Sequence, residues 1–275
     1  MSNQKVYDYV FERIQTEMEK GIIPWRKPWG TDGNGDLPRN GTSGKHYNGI
    51  NLLMLDWGHK YYTMKQIGQK GWRIKKGSKG FFVVYFELKE IASNKEGRKG
   101  EMEKIPFLRY YYVFKDSDIE GCPTSTEATK TEHQPIEEAE KVVSAYEIEI
   151  KHDDSKGAYY SPVKDSINVP DRSRFVNIEE FYSTCFHEMT HSTGHEKRLK
   201  RTFGNHFGDE QYSKEELIAE IGAGFLCGKC GIEQKTLENS VAYIQNWLGA
   251  LSKDKKMIVQ AAAAASKAAD YIIGE

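Results

Sequence analysis

Apolar residues at Val6, Val10, Ile14 and Met18 recur every four positions, with Tyr9 and Phe11 beside them and charged residues between. That spacing predicts an amphipathic helix from Val6 to Lys20, ended by Gly21. A second helix is expected over 46–57, around Leu52, Leu53, Met54 and Leu55. A short third, MKQIGQKG, is capped by Thr63. The runs Gly80–Leu88 and Phe107–Phe114 are aromatic and β-branched and read as paired strands around a charged loop. Residues 121–135, GCPTSTEATKTEHQP, are polar and turn-rich without apolar periodicity, and read as a linker. Beyond it the pattern predicts a helix over Ile136–Tyr146, a strand at Ile148 and Ile150, and two short strands about a Lys164-Asp165 turn. Helices follow near 178–193, 213–230, 235–252 and 254–273, the last rich in alanine. The expected class is α+β, with a first domain over 1–120, a linker over 121–135 and a mainly helical second domain over 136–275.

Composition adds boundaries. A hydrophobic fraction of 38% and a charged fraction of 29% describe a water-soluble chain. No stretch approaches the roughly 18 apolar residues of a membrane helix, and the start lacks a secretory apolar core. Cys122, Cys185, Cys227 and Cys230 form no disulfide framework, so a cytoplasmic protein is expected. Cys227 and Cys230 resemble half a zinc knuckle but have no second pair, and read as helix-end packing.

The near-neutral total hides a division. Residues 1–118 hold 21 Lys and Arg against 14 Asp and Glu, a net +7, and the remainder carries −8. Lys65–Gly80 contains six basic residues, no acid, and Trp72 at its middle; Arg26-Lys27-Pro28-Trp29 repeats the theme. Singly, such tryptophans read as core and such lysines as a solvated face. Together, cations that follow a phosphate backbone and aromatics that stack on bases are what a single-strand binder needs. No helix-turn-helix or zinc-finger signature supports base-specific reading. The candidate contacts are Arg26, Lys27, Trp29, Trp72, Arg73, Lys75, Lys76 and Lys79.

The sharpest chemistry lies at His187-Glu188-Met189-Thr190-His191. Histidines four apart share one helix face and can hold one zinc ion. Glu188 between them is placed to act as general base on a water that the metal polarises. The flanking Phe181, Tyr182, Cys185, Phe186 and Met189 mark a buried helix, where idle His and Glu would be costly. A third ligand is required. Lys197 stands where an extended HExxHxxGxxH pattern would place a histidine, which excludes that subclass. The leading choice is Glu216, with Glu220 on the same helix face orienting a ligand histidine; reversed roles, or His195 as ligand, stay open.

The order of these motifs carries a resemblance. Gly21–Trp29, Pro38-Arg39-Asn40, Ser43–Asn51 and Arg73–Gly80 in the first half, with Tyr160-Ser161-Pro162, Asp165-Ser166-Ile167, the His187–His195 segment and Glu215–Glu220 in the second, resemble the ArdC-type antirestriction proteins of mobile elements. The resemblance covers nearly the whole chain. It implies an N-terminal single-stranded-DNA-binding domain, a zincin-like metallopeptidase domain and protection of incoming DNA from restriction. It also brings Arg39 and Lys45 into the DNA-contact set. Two rivals remain: a non-enzymatic single-strand-binding protector with a structural zinc, and a processing or toxin-like metalloprotease with an incidental basic surface. A peptide substrate is expected only if the site is hydrolytic.

Overall fold

The computed structural model describes residues 3–26, 37–92, 102–123, 135–153, 156–175, 177–202, 210–232 and 241–275. Most of the expected linker, the charged hairpin loop, Lys27 and Trp29 lie outside these residues. The class is α+β.

Helix α1 (Asn3–Glu19) buries Val6, Val10, Phe11, Ile14 and Met18, the residues its periodicity selects. It ends where Gly21, at φ 83°, donates to the Met18 carbonyl. A 3-10 turn (Pro24–Arg26) follows, then β1 (Arg39–Asn40), α2 (Ile50–Met54), β2 (Lys60–Thr63), α3 (Met64–Gln69), β3 (Arg73–Ile74), β4 (Phe81–Ala92), β5 (Met102–Lys115) and β6 (Ile119–Glu120). Strands order as β1-β2-β5-β4 in one sheet, while β3 pairs with β6 in another. The β4–β5 hairpin is longer than its hydrophobic pattern predicted, and Thr63 caps α3 with a reciprocal Gln66 contact.

The expected helix over 46–57 is corrected to five residues. Residues at its start are used otherwise: His46 bridges to Arg39 and Tyr47 donates to the Pro38 carbonyl. Gly49 at φ 57° begins the helix, and Leu55 leaves it extended to pack beneath the sheet. The two-residue strands β1, β3 and β6 are too short to carry an alternation and were not expected.

The second half holds α4 (Pro135–Ala145), β7 (Ile150–Lys151), β8 (Tyr159–Ser161), β9 (Ser166–Asn168), α5 (Ile178–Ser192), α6 (Glu210–Lys229), α7 (Val241–Lys253) and α8 (Met257–Ile273). The small sheet orders as β7-β9-β8, and Asp165 takes φ 47° in the β8–β9 turn. Cys227 and Cys230 are buried at the end of α6.

One continuous core of buried side chains joins the two halves. Trp25 is fully buried and meets Trp247 of α7 edge to face at 5.9 Å. Its backbone lies against α6 at Gly224, where an added Cβ would sit 2.2 Å from the Trp25 carbonyl oxygen. Gly49 packs against Ala263 of α8, and Asn51 exchanges two hydrogen bonds with Val84 (2.7 and 2.8 Å), tying α2 to β4. Among the described residues no helix is long and apolar enough to cross a membrane.

Candidate metal centre

Asn177 caps α5 by accepting from the Glu180 amide at 2.8 Å. The helix then turns its apolar side into the core and brings the rings of His187 and His191 to a centroid separation of 4.7 Å. Helix α6 crosses close to it because Gly222 has no side chain: a Cβ there would lie 2.6 Å from Thr190 Cγ2. This close approach sets the Glu216 carboxylate beside both imidazoles. His187 Nε2 and His191 Nε2 are 3.1 Å apart; Glu216 oxygens lie 3.6 Å from the first and 3.5 Å from the second.

These separations bear on what the cluster could hold. Metal–nitrogen bonds of about 2.0–2.1 Å in a tetrahedral site put neighbouring donors about 3.3 Å apart. The three donors stand near the corners of one face of such a tetrahedron. Among the described residues, His187, His191 and Glu216 are the group able to hold a metal ion. Electrostatics agree with a cation site. Burial disfavours the charged form of His187, yet Glu216, Glu188 and Glu220 together raise its pKa. For Glu216, burial is outweighed by the two histidines, and its pKa is lowered.

Glu188 is 7% exposed. Burial raises its pKa; the charges of His187 and His191 oppose the rise, Glu216 adds to it, and the Tyr160 backbone N–H, bonded to the carboxylate, opposes it. A buried carboxyl group whose pKa is raised in this way is suited to proton transfer.

Glu215, next to Glu216, also meets a ring of the cluster: its Oε1 lies 3.3 Å from His191 Nδ1. Arg201 grips Glu215 through both oxygens, Nη2 to Oε1 at 2.7 Å and Nε to Oε2 at 3.0 Å. The same guanidinium donates to the Thr190 carbonyl and to Thr193 Oγ1, each at 2.7 Å, fastening the end of α5. Glu220 acts on His187 by charge. Tyr212, one turn before Glu216, has its phenol pKa raised by burial and then by the Glu216 charge. His195 faces Asp165, with Nδ1 3.7 Å from Oδ2.

A second polar cluster braces the wall beside Glu188. Asp165 accepts from Tyr160 OH at 2.8 Å and from both terminal nitrogens of Arg198, whose Nε donates to the Ser192 carbonyl. The Arg198 hydrogen bond, aided by Tyr160, holds the Asp165 carboxyl down at about 2. Because the folded value lies below the ordinary one of 3.8, the stabilisation is complete above pH 4 and lost as pH falls toward 2. With this side chain 20% exposed, its size is on the order of 2 kcal/mol. Urea unfolding of wild type and Asp165→Asn should therefore differ by about that amount at pH 6, and the gap should narrow below pH 4 and close only toward pH 2. A gap independent of pH would show that the pair does not act through its charge.

The expected nucleic-acid residues are dispersed. Arg39 is half-buried in β1 and Lys45 exposed in the turn after it. Arg26 closes the 3-10 turn. Trp72 is half-buried, edge-on to Tyr62 at 5.3 Å, with Lys70 Nζ 5.0 Å from its ring centre. Arg73 pairs across from Glu120, and Lys75 Nζ donates to the Ser117 carbonyl at 2.7 Å. Lys76 and Lys79 are exposed.

A helix pair with this donor cluster beside a small mixed sheet defines a zincin-like metallopeptidase fold, and residues 137–264 match the family of that description. Residues 4–114 match the N-terminal domain of the anti-restriction factor ArdC, and the chain belongs to the ArdC family of antirestriction proteins. The crystal structure of ArdC from the R388 plasmid without metal is 35% identical, with a TM-score of 0.73, covering 97% of this chain and 96% of that one. Its Mn(II)-bound structure gives 33% and 0.74, covering 98% and 97%. Two Escherichia coli DNA primases TraC are 32% and 33% identical over 97% of this chain. The chain spans only 27% and 20% of their lengths.

Proposed function

We propose that this antirestriction-family chain binds single-stranded DNA through its basic first half and carries a zinc-dependent peptidase site in its second. The observation that carries the peptidase reading is the His187–His191–Glu216 donor face with the buried Glu188 carboxylate beside it. In this reading those three residues hold the metal, and a bound zinc ion would supply Lewis acidity toward a carbonyl and a water. Glu188, aligned by the Tyr160 amide, accepts the proton of the attacking water and returns it to the leaving nitrogen. Glu215, held by Arg201, keeps the His191 ring oriented so that Nε2 faces the other donors. Glu220 adds negative charge near His187.

The basic first half, its relatives among DNA primases and the exposed lysines at 76 and 79 support nucleic-acid contact. The buried Glu188 beside the donors speaks against a purely structural metal, which would need no such carboxylate.

Glu188→Gln tests the reading. The variant should bind metal as the wild type does, while cleavage of a peptide library falls about 10²–10⁴-fold. Undiminished cleavage would remove Glu188 from the chemistry. Absence of cleavage by metal-loaded wild type would leave binding as the function of the site.

A further inference from the structure

The sheet of the first half has two unlike faces. On one, Phe82 stacks on Tyr110 at 4.9 Å and meets Tyr9 of α1 at 4.2 Å. Tyr112 belongs to this face, edge-on to Phe82 at 5.9 Å. The opposite face is set by the register. Phe81 pairs with Val113, Val83 with Tyr111 and Tyr85 with Arg109, so these six side chains lie on the same side. Leu55 and Tyr47 cover Val83 and Val113 and close the inner part of it. Next to that cover, Tyr85 is 51% exposed and Tyr111, whose hydroxyl meets Tyr47, 37%; the exposed Arg109 lies directly opposite Tyr85 and two residues from Tyr111 on β5, beside both.

Two exposed aromatic rings thus lie diagonal to each other on one sheet face, with a cation adjacent to both. Their spacing is about 7–8 Å between backbones, close enough for adjacent rings to take successive bases. Lys115, on the same face, lies 5.8 Å from the Phe81 ring centre, although it also pairs with Asp56 at 3.5 Å. The exposed Lys76 and Lys79 precede β4, which runs about 13 Å from Phe81 to Tyr85. The surface thus combines phosphate-attracting charge at one end with ring faces at the other. β4 is also an edge strand among the described residues.

We propose that Tyr85 and Tyr111, with Arg109 beside both, are the platform on which bases of a single nucleic-acid strand stack. The proposal rests on the single-strand reading above and relocates its base contacts from the basic loops, where Trp72 is packed against Tyr62, to this sheet face. Stacking is indifferent to sequence, as suits a binder without a base-reading motif.

The test is fluorescence anisotropy of the full chain with a labelled oligo-dT across a salt series. Tyr85→Ala/Tyr111→Ala should weaken binding roughly ten- to hundredfold, with the slope of log affinity against log salt unchanged. Tyr85→Phe/Tyr111→Phe should restore affinity, because the ring and not the hydroxyl carries the contact. Lys76→Ala/Lys79→Ala should flatten the slope instead. Tyr85→Ala alone, at the more exposed ring, guards against a folding defect in the double variant and should lose several-fold. Wild-type affinity in both alanine variants would overturn the platform while leaving the single-strand reading intact. No binding by wild type, with duplex and single strand alike, would overturn both.

Discussion

Replacing His187 and His191 together with alanine should lower divalent-metal affinity by on the order of a thousandfold or more. The expectation follows from the donor set: three groups of one cluster supply every ligand atom brought together among the described residues, and two are removed. Arg201→Met tests the outer support separately. It leaves the three donors in place but frees Glu215, so affinity should fall only about ten- to hundredfold. Competition with a chromophoric chelator, using zinc and manganese in turn, reads both effects. Circular dichroism melts without metal separate loss of ligand from loss of fold. Unchanged affinity in the double alanine variant would mean that metal binds elsewhere.

The second large effect is expected at Gly224. Alanine there would place its Cβ 2.2 Å from the Trp25 carbonyl oxygen, and backbone cannot swing aside as a flexible side chain would. Glycine to alanine inside a helix ordinarily stabilises by about 0.5–1 kcal/mol. The overlap should overturn that gain and leave Gly224→Ala destabilised by about 2 kcal/mol or more. Gly249 of α7 supplies the control: it is exposed, with nothing within 4 Å of an added Cβ, so Gly249→Ala should raise stability. Urea midpoints moving in opposite directions would verify the α6–Trp25 contact; a stable Gly224→Ala would refute it.

What the sequence disclosed divides along the range of the interactions. The His187–His191 spacing and the Glu216–Glu220 spacing are intrahelical, so each could be read locally. The β4–β5 hairpin was visible because both strands carry long aromatic runs. Arg201 and Asp165 could not be read, because their partners lie 14 and 33 residues away and no periodicity links them. Glu215 was visible beside Glu216, but only the crossing of α5 and α6 shows which acid meets His191 Nδ1. The extent of α2 was misjudged for a related reason: apolar residues at 52–55 fit a helix, but Leu55 is claimed by the sheet's core. Trp72 drew attention through its basic neighbours, whereas Tyr85 and Tyr111 sit in a run that reads simply as strand.

Trp25 seated against α6 has a consequence for how this chain can be divided. A break between the halves would strip the shared core from both pieces and expose Trp25, Ile23 and the buried face of α1. A piece holding one half alone is expected to present that apolar surface to water. The TraC primases match both halves together, over 97% of this chain within much longer proteins.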